Sequence, residues 1–406
     1  MIILQCLCRT IFFCSIPGQD FPGIELFLHF YIASVIITNR RTVTRKDTLM
    51  NKLFYPRPLQ PGDTVALTAP SSPVPAVNLK AAIKSVKLLG LNPVVMPSCR
   101  EHHGYMAGTD TQRASDLNEA FCRKDIAGIF CLRGGFGAMR LLPLLDFDMI
   151  RQNPKPLIGY SDITALHTSI NKLCGFITFH GPMPNTDYSR LDDFTLDSLR
   201  SQLFRPQEIC ELQNPPEQEL QVLYPMDTGT NLSDTPNAPH TLGISGTPRA
   251  PSISGAPHAP KGNPMVTGRL TGGNLSLVAG TLGSPWEIDT KDAILFLEDV
   301  GERPYRLDRN FTALALAGKF RDCAGIILGT FTDCEEPPHD DPSDSGVIAD
   351  RTLTLQQIIE EVILPYKKPT LLNYRAGHMY PQSTLPMGAE ISIDLAQKKL
   401  FLYQRG

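Results

Sequence analysis

The chain predicts an α/β fold in two parts: an N-terminal domain on a doubly wound parallel sheet and a smaller C-terminal α/β domain. Three observations carry this. From Gly62 to Leu173, short wholly apolar runs alternate with amphipathic ones, the pattern of a parallel sheet covered on both faces. Between about Glu208 and Pro264 the pattern fails in a stretch rich in Pro, Gly, Ser and Ala. At Val266 a second ordered series begins.

Taken in order, Thr64 to Ala69 is a β-rich apolar run ending in Pro-Ser-Ser-Pro, and Ala76 to Leu89 has helical spacing through Ile83, Val86 and Leu89. Asn92 to Met96 is a strand, and Asp110 to Phe121 a helix with Leu117 and Phe121 four apart. Ile126 to Leu132 is an apolar strand broken by Arg133-Gly-Gly-Phe-Gly, followed by a helix over Ala138 to Leu145. Pro156 to Gly159 is a strand, Asp162 to Leu173 a helix, and Phe176 to Phe179 a strand. In the second series, Ala293 to Leu297 and Ala324 to Leu328 are strands, while Tyr305 to Phe320 and Thr352 to Ile363 are helical. Ala389 to Asp394 and Lys399 to Tyr403 close the chain as alternating strands. The segments divide it into a leader over 1–49, a first domain over 50–208, an insert over 209–264 and a second domain over 265–406.

The chain has 406 residues, 42% of them hydrophobic and 19% charged, enough for two cores. A net charge of −3 and the lack of any Lys/Arg stripe give no electrostatic case for nucleic acid. Ten scattered cysteines, with Cys6-x-Cys8 the closest pair, lack the spacing of a zinc site and fit a reducing compartment. No metal site and no cofactor is expected. The insert contains a degenerate repeat at Thr235, Thr247 and Ala256, with few large apolar residues to bury, and is expected to be disordered. In the leader, the apolar stretch Ile24 to Thr38 contains Glu25 and His29 and falls short of the roughly 20 residues a spanning helix needs. It reads as sequence upstream of a start at Met50, ahead of a membrane anchor or a disordered extension.

Chemistry concentrates first in Lys155-Pro-Leu-Ile-Gly-Tyr-Ser-Asp-Ile-Thr, a strand that turns sharply at Ser161 into a helix. Such a turn thrusts a hydroxyl out at the carboxyl end of a sheet, with the Asp162 N–H at a positively polarised helix start. An ordinary serine N-cap fits the same segment. A nucleophilic serine needs a base and the base an orienting carboxylate. His29, His240 and His258 fall in the leader and insert; His102, His103 and His339 fall in polar loops; His167 points away along the helix. His180, at a strand end, and His378, in Arg375-Ala-Gly-His-Met-Tyr, remain. Glu298 ends the apolar run Ile294-Leu-Phe-Leu, where it serves either as a partly desolvated site acid or as a rim partner of Arg303 or Arg306.

Eight motifs in order across Leu59 to Tyr403 resemble the serine LD-carboxypeptidases, the family of murein tetrapeptide LD-carboxypeptidases and microcin C self-immunity hydrolases. They are Pro61-Gly-Asp-Thr-Val-Ala, Leu132-Arg-Gly-Gly-Phe-Gly, Ile158-Gly-Tyr-Ser-Asp-Ile-Thr, Phe179-His-Gly-Pro, Thr271-Gly-Gly-Asn-Leu, Phe296-Leu-Glu-Asp-Val-Gly-Glu, Tyr305-Arg-Leu-Asp-Arg, and Gly377-His378 with Leu385-Pro-Met-Gly. Each is weak alone, and eight in order are specific. The leader and the insert depart from the family pattern. A Gly-x-Ser-x-Gly elbow needs glycine at 163, where this chain has Ile163.

The resemblance implies a flavodoxin- or glutaminase-like first domain, a swivelling second domain and an interdomain cleft. It implies Ser161 as nucleophile, His378 as general base and Glu298 as its orienting acid. The oxyanion hole would be the N–H groups of Asp162 and Gly135, with His180, Asn274 and Arg309 as substrate-binding candidates. The implied activity is release of the terminal D-alanine from the L,D bond of a murein tetrapeptide by a metal-free cytoplasmic homodimer. The rivals are the same triad acting on an aminoacyl-nucleotide linkage, and a catalytically silent binding module.

Overall fold

The computed structural model describes residues 53–206, 210–216, 218–224, 265–336 and 352–402; the leader, the Thr235 to Lys261 repeat and His29, His240, His258 and His339 lie outside them. The described residues form two sheets. The first contains β1 (Thr64–Thr68), β2 (Asn92–Val95), β3 (Gly128–Cys131), β4 (Leu157–Gly159) and β5 (Thr178–His180). All five run parallel, in the order β5-β4-β3-β1-β2. The connections reverse direction beside β1: the chain goes to β2 on one side and then crosses to β3 on the other. Open α/β sheets bind ligands at such a switch point, beyond the carboxyl ends of the strands.

Helices cover this sheet: α1 (Ala76–Leu88), α2 (Asp110–Cys122), α3 (Phe147–Gln152) and α4 (Thr164–Cys174). A capping box starts α2, in which Thr109 and Gln112 satisfy each other's backbone N–H groups. The segment expected as a helix from Ala138 is a 3₁₀ stretch over Ala138–Leu144, because Pro143 lacks the N–H an α-helix requires. α5 (Asp193–Phe204) was not foreseen; the Asp192 carboxylate accepts from the Thr195 N–H and starts it.

The second sheet has eight strands: β6 (Glu211–Leu212), β7 (Gln221–Tyr224), β8 (Met265–Asn274), β9 (Ala293–Val300), β10 (Gly325–Thr332), β11 (Thr370–Leu372), β13 (Glu390–Asp394) and β14 (Lys399–Leu402). β8, β9, β10 and β11 run parallel at its centre, and antiparallel strands flank them. β6 and β7 fall inside the stretch read as insert. Leu212 and Leu220 are buried there, so the first part of that stretch belongs to the second sheet. A short helix, α6 (Leu275–Gly280), follows β8, and the helix expected over Tyr305 to Phe320 is divided: α7 (Pro304–Leu316) stops before Gly318, at φ 76°, and a single turn over Lys319–Asp322 follows. Within the expected helix to Ile363, α-helical turns over Leu355–Ile358 pass into a π-helical turn over Ile359–Ile363.

Period-two alternation sorts the central strands between two cores. Ile294 and Phe296 of β9 pack with Val65, Phe179 and Leu385 of the first sheet, while Leu295 and Leu297 pack against Leu307, Phe311 and Ile359. β12 (Leu385–Met387) joins the two halves. It follows β11 of the second sheet in the chain, yet pairs antiparallel with β5 at the edge of the first, Leu385 opposite His180. No helix among the described residues is long and apolar enough to cross a membrane.

Candidate active site

Ser161 sits between β4 and a 3₁₀ turn over Ser161–Ile163 that runs into α4. Its φ of 65° lies in the left-handed region, which costs a non-glycine residue about 1–2 kcal/mol. The loop after β3 presses against it: a methyl group at Gly134 would lie 2.8 Å from the Ser161 Cβ. Only glycine allows that approach.

The loops after β1 and β3 are laced together around this turn. The Asp162 carboxylate accepts from the Ser71 hydroxyl at 2.5 Å and from the Ala138 N–H at 2.8 Å through Oδ2, so it clamps both loops to the serine turn. Burial pushes its pKa up, against those two hydrogen bonds and the nearby Arg113. Ser72 accepts from the Phe136 N–H at 3.2 Å and donates its own N–H to the Gly134 carbonyl at 3.3 Å. Gly135 has φ 115°, and a methyl there would lie 2.2 Å from the Ser72 Oγ. Beneath the loops, fully buried Arg113 donates to the Pro70 and Gly108 carbonyls and pairs with Asp110.

The second sheet brings the other two groups. Glu298 lies on β9, fully buried, opposite Asn274 of β8. His378 lies in the loop from β11 to β12, and its carbonyl accepts from the Thr332 hydroxyl at 3.1 Å. Gly377, at φ 102°, lets that loop close over the carboxylate, since a methyl there would stand 2.5 Å from the Glu298 Oε2. His378 Nδ1 is 2.7 Å from Glu298 Oε2, and its Nε2 is 3.1 Å from the Ser161 Oγ. The carboxylate fixes the proton on Nδ1, which leaves Nε2 as the acceptor for the serine hydroxyl. Burial raises the pKa of Glu298, while the His378 hydrogen bond and charge work against that rise. Tyr160 packs edge-on against the imidazole, with ring centroids 4.9 Å apart.

Ser161, His378 and Glu298 therefore form one hydrogen-bonded chain across the two domains. The other candidates stand elsewhere. His180 is fully buried behind Tyr160, among Tyr160, His167 and Phe296, with no hydrogen-bond partner on either ring nitrogen. Burial holds its pKa well below the usual histidine range. Asn274 is buried and structural: its Oδ1 accepts from the Leu277 N–H at the start of α6, and its Nδ2 donates to Asp299. Arg309 is exposed on α7 over the Tyr305 ring. His167 bonds Thr178 and the Gly159 carbonyl, and burial lowers its pKa to about 4. A cavity of about 500 Å³ lies under the far end of the His378 loop, between α5, Tyr374 and Ser383, and contains none of the three chain members.

Sequence reasoning missed the loop-clamping carboxylate of Asp162, the wall made by Ser71 and Ser72, and the Tyr160 ring. The Pro-Ser-Ser-Pro turn directly after β1 was the available signal, because it stands at the switch point.

Residues 65–181 match the LD-carboxypeptidase N-terminal domain and residues 267–393 the LD-carboxypeptidase C-terminal domain. A probable murein peptide carboxypeptidase of Bacillus subtilis is 34% identical over 348 residues, covering 85% of this chain and 93% of its own. The murein tetrapeptide carboxypeptidase of Pseudomonas aeruginosa is 30% identical over 330 residues, covering 80% and 91%. The solved structure of MccF in complex with glutamyl sulfamoyl guanosine superposes with a TM-score of 0.68 at 26% identity, covering 87% of this chain and 99% of that one. With both domain models matched in order and the relatives spanned nearly end to end, the chain belongs to the LD-carboxypeptidase family.

Proposed function

We propose that the protein is a serine LD-carboxypeptidase that releases the terminal D-alanine of a murein tetrapeptide. The observation that carries this is the Ser161–His378–Glu298 chain, with its 3.1 Å and 2.7 Å links. The names of the Bacillus and Pseudomonas relatives support the substrate class.

In this reading the Ser161 Oγ attacks the carbonyl carbon on the L-configured side of the scissile amide, and its proton passes to His378 Nε2. The N–H groups of Asp162 and Gly135 receive the negative charge that develops on the carbonyl oxygen. As the tetrahedral adduct collapses, the C–N bond breaks and His378 delivers its proton to the departing amine of D-alanine. Water then attacks the Ser161 ester, again with His378 as base, and releases the shortened peptide and the free hydroxyl. Glu298 holds the imidazole in one tautomer and stabilises its charged form. The left-handed backbone at Ser161 aims the hydroxyl before any substrate arrives. A cytoplasmic setting and a homodimer belong to the same reading, and cell fractionation and sedimentation test them.

The fold likeness to MccF supports a second substrate for the same triad, an aminoacyl-nucleotide linkage. Purified enzyme offered a murein tetrapeptide and an aminoacyl sulfamoyl nucleotide decides between them by mass spectrometry of the products. Release of D-alanine is the expected result. Exclusive cleavage of the nucleotide conjugate overturns the murein reading. Failure of an active-serine probe to label Ser161 overturns the hydrolase reading itself.

A further inference from the structure

We propose that Arg133 is the residue that reads the free α-carboxylate of the leaving D-amino acid and so makes the site an exopeptidase. The inference rests on the carboxypeptidase reading above and specifies how the substrate terminus is recognised.

Arg133 immediately precedes Gly134, the residue packed against Ser161, so its side chain leaves the backbone at the edge of the Gly134–Gly135 turn. Its Nη1 donates to the Pro73 carbonyl at 3.3 Å. That bond fixes the guanidinium beside the loop whose Ser72 walls Gly135. The residue is half-buried, and among the described residues it forms no ion pair with a carboxylate. One N–H is engaged, and four of the five donors of the fork remain.

Several other arginines are committed. Arg113 and Arg140 pair with Asp110, and Arg303 pairs with Glu336. Arg375 donates from Nη1 to the Tyr380 carbonyl and from Nη2 to the Gln218 side chain. Arg133 is left with a charge and donors to offer.

The direction is also right. His378 must protonate the leaving amine, and in an amino acid the carboxylate carbon is two bonds from that nitrogen. The anion therefore lies on the His378 side of the oxyanion hole. Tyr160 packs against His378 there, and the Arg133 charge acts on the Tyr160 hydroxyl, opposing the rise that burial causes. A guanidinium at this place meets a carboxylate with paired, charge-assisted hydrogen bonds.

The test compares two substrates, an L,D-tetrapeptide ending in free D-alanine and the same peptide ending in D-alaninamide, with wild type, Arg133→Gln and Arg133→Lys. Arg133→Gln should lower kcat/KM on the acid by about 10- to 150-fold, mainly through KM, as loss of a hydrogen-bonded charge contact predicts. It should lower the amide rate far less. Arg133→Lys should fall between, keeping the charge but losing the fork. Equal losses on acid and amide would overturn the inference, because they mean Arg133 only props the loop against Pro73. Unchanged cleavage of the acid by Arg133→Gln would overturn it as well. A wild type labelled at Ser161 yet inert toward both peptides overturns the murein reading together with this inference. Cleavage of the acid by wild type, with either of the first two results, overturns this inference alone. Thermal midpoints of all three proteins, matched to wild type, assign the losses to recognition rather than folding.

Discussion

The Ser161 turn and the His378 loop each hold one side chain at the same cleft, and they are held differently. The turn is continuous in sequence from Leu157 to Cys174, and its strain is local, a left-handed φ of 65° between a strand and a helix. The His378 loop has its ends in different sheets: β11 lies in the second and β12 in the first. Its geometry is borrowed from β5, which fixes β12, and from Glu298 beneath it. A locally strained serine turn keeps its shape as long as its own strand and helix do. A histidine suspended between two sheets keeps its place only while both sheets stay docked. The difference separates what mutation of each region should do.

The largest expected effect tests whether the two regions act as one device. Ser161→Ala and His378→Ala should each lower kcat by about 10⁴- to 10⁶-fold, and the double variant should lose little more. Losses that multiply would break the comparison, since they mean His378 serves something other than the serine. Next, Glu298→Gln keeps the volume but removes the charge that fixes the imidazole proton. Its kcat should fall by about 10⁴-fold with the thermal midpoint little changed. A mild effect would show that the docked loop alone holds His378 in place.

On the serine side, Gly135→Ala forces a side chain into a left-handed backbone and onto the Ser72 Oγ. The shifted N–H should cost about 10²- to 10³-fold in kcat while Ser161 still reacts with an active-serine probe. Full activity in this variant would remove Gly135 from the oxyanion hole.

The smallest effect concerns a histidine on the Ser161 side that lies outside the hydrogen-bonded chain. His167 is buried and neutral, with its pKa lowered to about 4. Its folded value lies below the unfolded one, so the unfolded chain takes up a proton first as pH falls. The stability it contributes is complete above about pH 6.5 and is lost toward and below pH 4, amounting to about 3 kcal/mol. Urea unfolding of wild type and His167→Gln between pH 7 and 3.5 should show the gap between them narrowing by that amount. A constant gap would mean that His167 titrates alike in the folded and the unfolded chain.

The order of these effects follows how each region was encoded. Strand β4, the turn and α4 were legible because their residues are neighbours: Leu157, Ile158 and Gly159 make the strand, and amphipathic spacing makes the helix. Glu298 was visible as a carboxylate ending an apolar strand, but nothing local separated a site acid from a rim partner of Arg303 or Arg306. Burial of that carboxylate under Gly377 settles its surroundings, and it depends on residues 79 positions apart. His180 and His378 were equally plausible as strings. Leu385 pairing with His180 buries the strand that carries one of them and leaves the other in the loop above.

Sequence by itself determined the parallel core of the first sheet, the sharp turn at Ser161 and the glycine-rich loop beside it. These follow from periodicity and backbone permissiveness, which act over a few residues. Tertiary structure alone decided that β12 crosses to the first sheet, that β6 and β7 complete the second, and that Asp162 clamps two loops. Those outcomes depend on which hydrogen-bonding edge and which apolar face remain unsatisfied once the local elements have formed, and no single segment carries that information.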